Sequence, residues 1–154
     1  MHRYPLNLPE FEFAYRTVGE TRMIFDPIRR KYVALTPEEG VRQRFIQHLL
    51  QDLQYPPAMI AVEVGFTYQR MPRRADVVAY GRAGRPLLVA ECKAPDVPLT
   101  QQAFDQIARY NTVLGASILA ITNGLEHYAC AVDASAGTVS FLNAIPTYKD
   151  IATP

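Results

Sequence analysis

Cysteine is scarce in this sequence: Cys92 and Cys130 are the only two among 154 residues. They lie far apart and form no CxxC pair, which argues against a disulfide framework or a cysteine-based zinc site. Both sit in apolar stretches and read as small buried hydrophobes. Histidine gives no catalytic cluster either. His2 is in an unassigned terminus, His48 lies between Gln47 and Leu49 on a helix, and His127 precedes a strand with no second histidine to help it. No apolar run approaches the roughly 18 residues a membrane span needs. The start, MHRYPLNLPEFEF, lacks the apolar stretch of a signal peptide. The expectation is a cytoplasmic protein with no membrane partner. No GxxxxGK[ST] occurs, so no P-loop nucleotide site is present. Internal repeats, low-complexity tracts and linkers are also absent.

What is present suits one ordinary globular domain with a core of its own. Hydrophobic residues make up 49% and charged residues 20%, and the formal net charge is +1. That net charge announces no polyanion partner, but its distribution permits one. Arg70, Arg73, Arg74, Arg82, Arg85 and Lys93 crowd one part of the chain, opposed only by Asp76 and Glu91. Local positive charge is what phosphate binding requires, although a solvated basic face has the same look.

MIFDPIRRKYVAL (23–35) reads as two short strands around an Asp26-Pro27 turn. A helix follows with a clear start: Thr36 as N-cap, Pro37 in the first position and Glu39 completing a capping box. Val41, Phe45, Leu49 and Leu53 recur every four residues and form its apolar face. AMIAVEV (58–64), RADVVAY (74–80) and LLVAECKA (87–94) read as three strands. A second helix lies between Pro98 and Gly115, capped by Thr100. ASILAIT (116–122) is apolar enough for a strand buried on both faces. HYACAVD (127–133) and TVSFLNA (138–144) make a closing hairpin. Three consecutive strands suggest an antiparallel meander, and the second helix can cross over to a parallel strand. The expected class is α/β, a mixed sheet flanked by helices in three layers, with a C-terminal hairpin. In domain terms the chain is one unit, with a core of about 36–123, an N-terminal hairpin at 23–35 and a C-terminal hairpin at 127–144.

The chemistry concentrates in LLVAECKAP. Side chains on a strand alternate, so Leu87, Val89, Glu91 and Lys93 share one face, and Leu88, Ala90 and Cys92 share the other. An acid and an amine thus stand at the end of an otherwise apolar strand. Asp76 is on the preceding strand, and a tight connection through GRAGRP can bring it across from Glu91. A carboxylate among Ala75, Val77 and Val78 is costly to bury unless it is paired or binds metal. Two carboxylates beside a lysine suit phosphodiester hydrolysis. Mg²⁺ takes oxygen ligands and keeps several waters, and Asp76, Glu91 and the Cys92 carbonyl could supply the protein share. Lys93 could position the water or meet developing negative charge. A simple Lys93 ion pair with either acid remains the competing reading. On the second helix Gln102, Gln106 and Tyr110 form one stripe beside Ala103, Ile107 and Leu114. Glu63 on the first strand could approach the site, or face solvent at a sheet edge. Asn123-Gly124 reads first as a turn.

These residues resemble a known family. Asp76, then Glu91-Cys92-Lys93, then Gln106 to Tyr110 is similar to the PD-(D/E)xK nuclease superfamily, with a QxxxY element like that of its RecB-like members. The phrases FDPIRRKYVALTPEEGVRQ, RADVVAYG, PLLVAECKAP, TQQAFDQIARYN and ITNG resemble the N-terminal nuclease domain of type I restriction enzyme R subunits, and stand-alone bacterial proteins like it. The resemblance implies a restriction-endonuclease-like αβββαβ core and DNA cleavage dependent on Mg²⁺, or on Mn²⁺ in its place. It makes Asp76 and Glu91 metal ligands, Lys93 the catalytic lysine, and Gln106 and Tyr110 accessory residues. It also makes Glu39 the candidate for an acidic metal ligand on the first helix. DNA is the implied partner, with Arg70, Arg73 and Arg74 as candidate contacts, and a homodimer or larger restriction or repair assembly as its setting. Ala75 stands where the motif's name has Pro. The helicase motor of R subunits is missing from this chain. A non-catalytic nucleic-acid-binding or assembly module that retains the nuclease fold is therefore the alternative.

Overall fold

A computed structural model describes residues 8–152 of the chain. Among the described residues nine strands and three α-helices follow one another. Strands β1 (Tyr15–Val18), β2 (Thr21–Asp26) and β3 (Lys31–Ala34) form a small antiparallel sheet. Helix α1 (Pro37–Gln47) ends in a π-helical turn over His48–Asp52. Then come β4 (Ile60–Tyr68), β5 (Met71–Tyr80), β6 (Pro86–Cys92), α2 (Gln101–Leu114), β7 (Ile118–Thr122), β8 (His127–Asp133), β9 (Thr138–Leu142) and the short α3 (Tyr148–Ala152).

The main sheet has the order β4-β5-β6-β7-β8-β9. The β4–β5–β6 meander is antiparallel, β6 and β7 run parallel across the α2 crossover, and β7–β8–β9 are antiparallel again. This is the α/β class the strand order implies: a mixed sheet flanked by helices. Every residue of β7 is buried, as its unbroken apolar run requires.

Each face of the sheet buries its own core. Val41, Phe45 and Ile46 of α1, with Leu49 of the π-helical turn, pack on Val77, Leu88, Ala90, Cys92 and Ala120. Ile107 of α2 packs on Ala75, Val78, Val89, Leu119 and Cys130. Both cysteines are free and buried, as their apolar neighbourhoods suggest. The α1 N-terminus forms as its capping residues require, with Thr36 Oγ1 accepting from the Glu39 amide at 3.0 Å. Thr100 does the same for α2 through the Ala103 amide at 3.1 Å. Gly115 closes α2 at φ 71°, a left-handed position that glycine takes without strain.

Three features depart from the sequence expectation. Strands β4 and β5 run on through a Gln69-Arg70 turn to pair Tyr68 with Met71, where the sequence had suggested a break. The first hairpin gains β1 as a third strand. The α3 helix follows the C-terminal hairpin, its Tyr148 amide bonded to the Leu53 carbonyl at 2.9 Å. Among the described residues no helix is long and apolar enough to cross a membrane.

Candidate active site

The site forms where β5 and β6 part. Their ladder pairs Val77 with Ala90 and stops there, so the next step brings Asp76 opposite Glu91 with no backbone bond between them. Asp76 uses the gap: its Oδ2 accepts the Cys92 amide at 2.7 Å. Glu91 and Asp76 share a side-chain hydrogen bond, and Lys93 Nζ stands 3.8 Å from Glu91 Oε1. The strand alternation read from the sequence holds, with Val89 in the α2-side core and Leu88, Ala90 and Cys92 in the α1-side core.

Two acids so close and so poorly hydrated do not both carry a full charge. Burial, then the charge of Asp76, raises the Glu91 carboxyl from 4.5 to about 8. Asp76 is raised as well, by burial, against the lowering effects of the Cys92 amide and the Arg42 charge. The pair therefore binds a proton near neutral pH and would gain from a cation placed between its oxygens.

The far side of Asp76 faces β4. Val62 pairs with Val77 and Val64 with Ala75, leaving Glu63 and Asp76 unpaired between them. Glu63 takes a left-handed φ of 54°, uncommon for a non-glycine residue. The strand consequently changes face there: Val62 packs on the α1-side core and Val64 on the α2-side core. The Glu63 carboxylate turns to arginines, 3.5 Å from Arg42, 3.7 Å from Arg29 and 3.6 Å from Arg74.

Arg42 was not singled out by the sequence. It is buried on α1 and its Nη1 is 3.6 Å from Asp76 Oδ1, while its Nε and Nη2 bond Glu39 at 2.9 and 2.6 Å. Glu39 also receives Arg29 at 2.7 Å and the Gln43 amide at 3.2 Å. Burial alone would raise Glu39, but Arg42 and Arg29 outweigh it and hold it at about 2. Both its oxygens are engaged, so in this structure Glu39, the first-helix acid singled out by the sequence, anchors the arginines. The acid that feels Asp76, Arg42 and Lys93 is its neighbour Glu38, raised by its partial burial and then by Asp76. The capping geometry that turns Glu39 inward leaves Glu38 facing the pair, which sequence spacing alone could not separate.

The other residues singled out by the sequence fall into two groups. Gln106 Nε2 donates to Tyr110 Oη at 2.7 Å, and both line a cleft of about 180 Å³ with Glu91, Lys93, Arg73 and Arg74. Arg70 is at the exposed turn between β4 and β5, at φ 65°, and does not line that cleft. His48 pairs with Asp52 at 2.7 Å and His127 with Thr122 at 2.6 Å; His2 lies outside the described residues. Asn123 is a turn residue, its Oδ1 accepting from the Leu125 and Glu126 amides. Among the described residues no group of three or more His, Cys, Asp and Glu side chains is placed to hold a metal. An ion here would take two carboxylates and fill its shell from backbone and water, as Mg²⁺ commonly does.

Residues 37–146 match the family model described as the type I restriction enzyme R protein N terminus (HSDR_N). The chain belongs to this family. The R-protein N-terminal domain is also similar in fold to a solved fragment described as an HsdR subunit of a type I restriction enzyme from Vibrio vulnificus YJ016. That likeness has a TM-score of 0.53 and 22% identity over 76% of this chain. The chain spans about a quarter of that structure's length, 24%. A comparison with curated proteins found no match.

Proposed function

We propose that this R-protein N-terminal domain is a divalent-metal-dependent deoxyribonuclease of the PD-(D/E)xK type. The observation that carries the reading is the half-buried Asp76–Glu91 pair, two carboxyls close enough to interact directly, with Lys93 alongside. A surface ion pair has no need of two acids both raised by burial. A site that takes up a hard dication does, because the ion displaces the shared proton and balances both charges.

The donor set fits Mg²⁺ or Mn²⁺. Asp76 and Glu91 would hold the ion, with the Cys92 carbonyl as a backbone ligand, and Glu38 adds negative charge nearby. Bound there, the ion would supply polarisation of a phosphate oxygen and a water of lowered pKa. The rest falls to the chain itself. Arg42 fixes the Asp76 carboxylate from behind, and the Cys92 amide fixes its other oxygen. Lys93 meets the negative charge that grows on the phosphate in flight. Gln106 and Tyr110, tied to each other, wall the cleft on the α2 side and limit where a phosphate can sit. Arg73 and Arg74 draw the DNA backbone toward it. Family membership supports DNA as substrate and a restriction assembly as the setting, with cleavage in the cytoplasm.

The test is incubation with linear, circular and single-stranded DNA in Mg²⁺ or Mn²⁺, beside Asp76→Ala and Lys93→Ala. Cleavage that needs the metal and is lost in both variants is expected. No cleavage in any metal, together with no calorimetric metal binding, would leave a non-catalytic nucleic-acid-binding module.

A further inference from the structure

The β4–β5 ribbon outruns the sheet. Strand β6 pairs with β5 only as far as Val77, whereas β4 and β5 stay paired to Tyr68 and Met71. The projecting segment therefore has no neighbour on the β6 side, and its residues serve no part of the sheet core beyond Phe66.

Its composition is unusual for an exposed ribbon. Phe66 and Tyr68 both meet the Tyr110 ring edge-on, with centroids 5.3 and 5.2 Å away. Arg73 lies 5.9 Å over the same ring. Among the described residues no carboxylate lies within ion-pair distance of Arg73, and Arg74 meets only the half-exposed Glu63, at 3.6 Å. Arg73 and Arg74 also line the cleft of Glu91 and Lys93, beside Tyr110. Phe66 pairs with Arg73 and Tyr68 with Met71, so these four share the Tyr110 face of the ribbon, and Met71 is exposed there.

Aromatic rings interleaved with exposed arginines, Arg73 without a carboxylate partner and Arg74 held only by Glu63, match a strand whose bases are free to stack and whose phosphates lie alongside. A duplex hides its base faces and offers a protein only phosphates and groove edges. We propose that the β4–β5 ribbon is a binding track for a single nucleic-acid strand, with phosphates on Arg73 and Arg74 and bases against Phe66, Tyr68 and Tyr110, leading that strand to Lys93. The inference rests on the nuclease reading and adds the substrate form: an unpaired strand or a frayed end.

The experiment is fluorescence anisotropy of a labelled oligothymidylate and of a duplex of equal length, both in EDTA so that no cleavage occurs. Expected is single-strand binding at least about tenfold tighter than duplex binding, given the usual worth of base stacking. Phe66 is half-buried, so Phe66→Ala risks the fold. Met71→Glu and Met71→Lys do not, since Met71 is exposed across from Tyr68. Met71→Glu is expected to weaken single-strand binding about tenfold and Met71→Lys to strengthen it, with unchanged melting temperatures. Arg73→Ala should lower the salt slope by about 0.7, the worth of one phosphate contact on a single strand. Duplex binding as tight as single-strand binding, no binding of either, or Met71 variants that bind like the wild type would overturn the proposal. Metal-dependent duplex cleavage with indifferent Met71 variants would sink the track alone. A preserved strand preference with no metal-dependent cleavage would sink the nuclease reading alone.

Discussion

Glu91→Gln should make the metal-free protein more stable at alkaline pH. Glu91 is an acid whose folded value, about 8, stands above its ordinary 4.5. An acid shifted in that direction contributes stability that is fully present below about pH 4.5 and is lost as pH rises through about 8. At ~1.4 kcal/mol for each pH unit, the whole rise is worth on the order of 5 kcal/mol. Asp76 is raised in the same sense and shares the charge, so a loss of roughly 2–4 kcal/mol is the range to expect. In a domain of this length that moves the melting temperature by about 5–10 °C. Glutamine keeps the shape and the hydrogen-bonding capacity but cannot ionise. Melting curves by circular dichroism in EDTA should therefore coincide for wild type and Glu91→Gln near about pH 5, and separate by that amount near about pH 9. Excess Mg²⁺ should raise the wild type at high pH and leave the variant where it was. Parallel wild-type and variant curves across the whole range would refute the reasoning, because the pair would then carry no buried charge penalty.

Arg42→Ala should cost about 3–5 kcal/mol in urea unfolding, since it strips the main partner from buried Glu39 and from Asp76. Glu39 acts in the opposite pH window from Glu91: held at about 2, it contributes stability above its ordinary 4.5 that is lost on acidification, and Glu39→Gln should flatten the acid limb of a pH–stability curve. Asn111→Ala should cost about 1–3 kcal/mol, because the side chain both donates to the Ala116 carbonyl and accepts from its amide at 3.0 and 2.8 Å in a buried site. Leu49→Ala, at a fully buried position under α1, should cost about 2–5 kcal/mol by thermal or urea melting without altering metal binding.

Much of this arrangement was legible in the sequence, and the reasons are local. Thr36-Pro37 and Thr100 announce helix starts because their oxygens must serve orphan amides, and Gly115 announces a stop because it alone takes that φ cheaply. The alternation in LLVAECKAP places Glu91 and Lys93 on one face because the core demands Leu88, Ala90 and Cys92 on the other. Asp76 was legible because GRAGRP is too short to put the next strand anywhere but beside it. What escaped depends on contacts between distant segments. Glu38 and Glu39 are adjacent, and it is Glu39 whose carboxylate meets Arg42 and, from the turn after β2, Arg29. Arg42 reads as one more helix-surface cation until Asp76 arrives opposite it. The ribbon was missed because Gly65, Pro72 and the arginines between them weaken every strand signal, while cross-strand pairing and the Tyr110 contact supply what propensity lacks. Glu63 follows the strand pattern in sequence and breaks it in φ, and no composition rule foretells that.

Comparing metal binding with cleavage in one variant, Lys93→Ala, tests the central claim most directly. Calorimetric titration with Mn²⁺ and a single-turnover DNA cleavage assay would be run on the same preparation. The account requires Lys93→Ala to bind the ion through Asp76 and Glu91 much as the wild type does, and to cut at least about a hundredfold more slowly, the loss typical of one charge-stabilising group. A Lys93→Ala protein that cuts at the wild-type rate, or a wild type that neither binds the ion nor cuts, would contradict it.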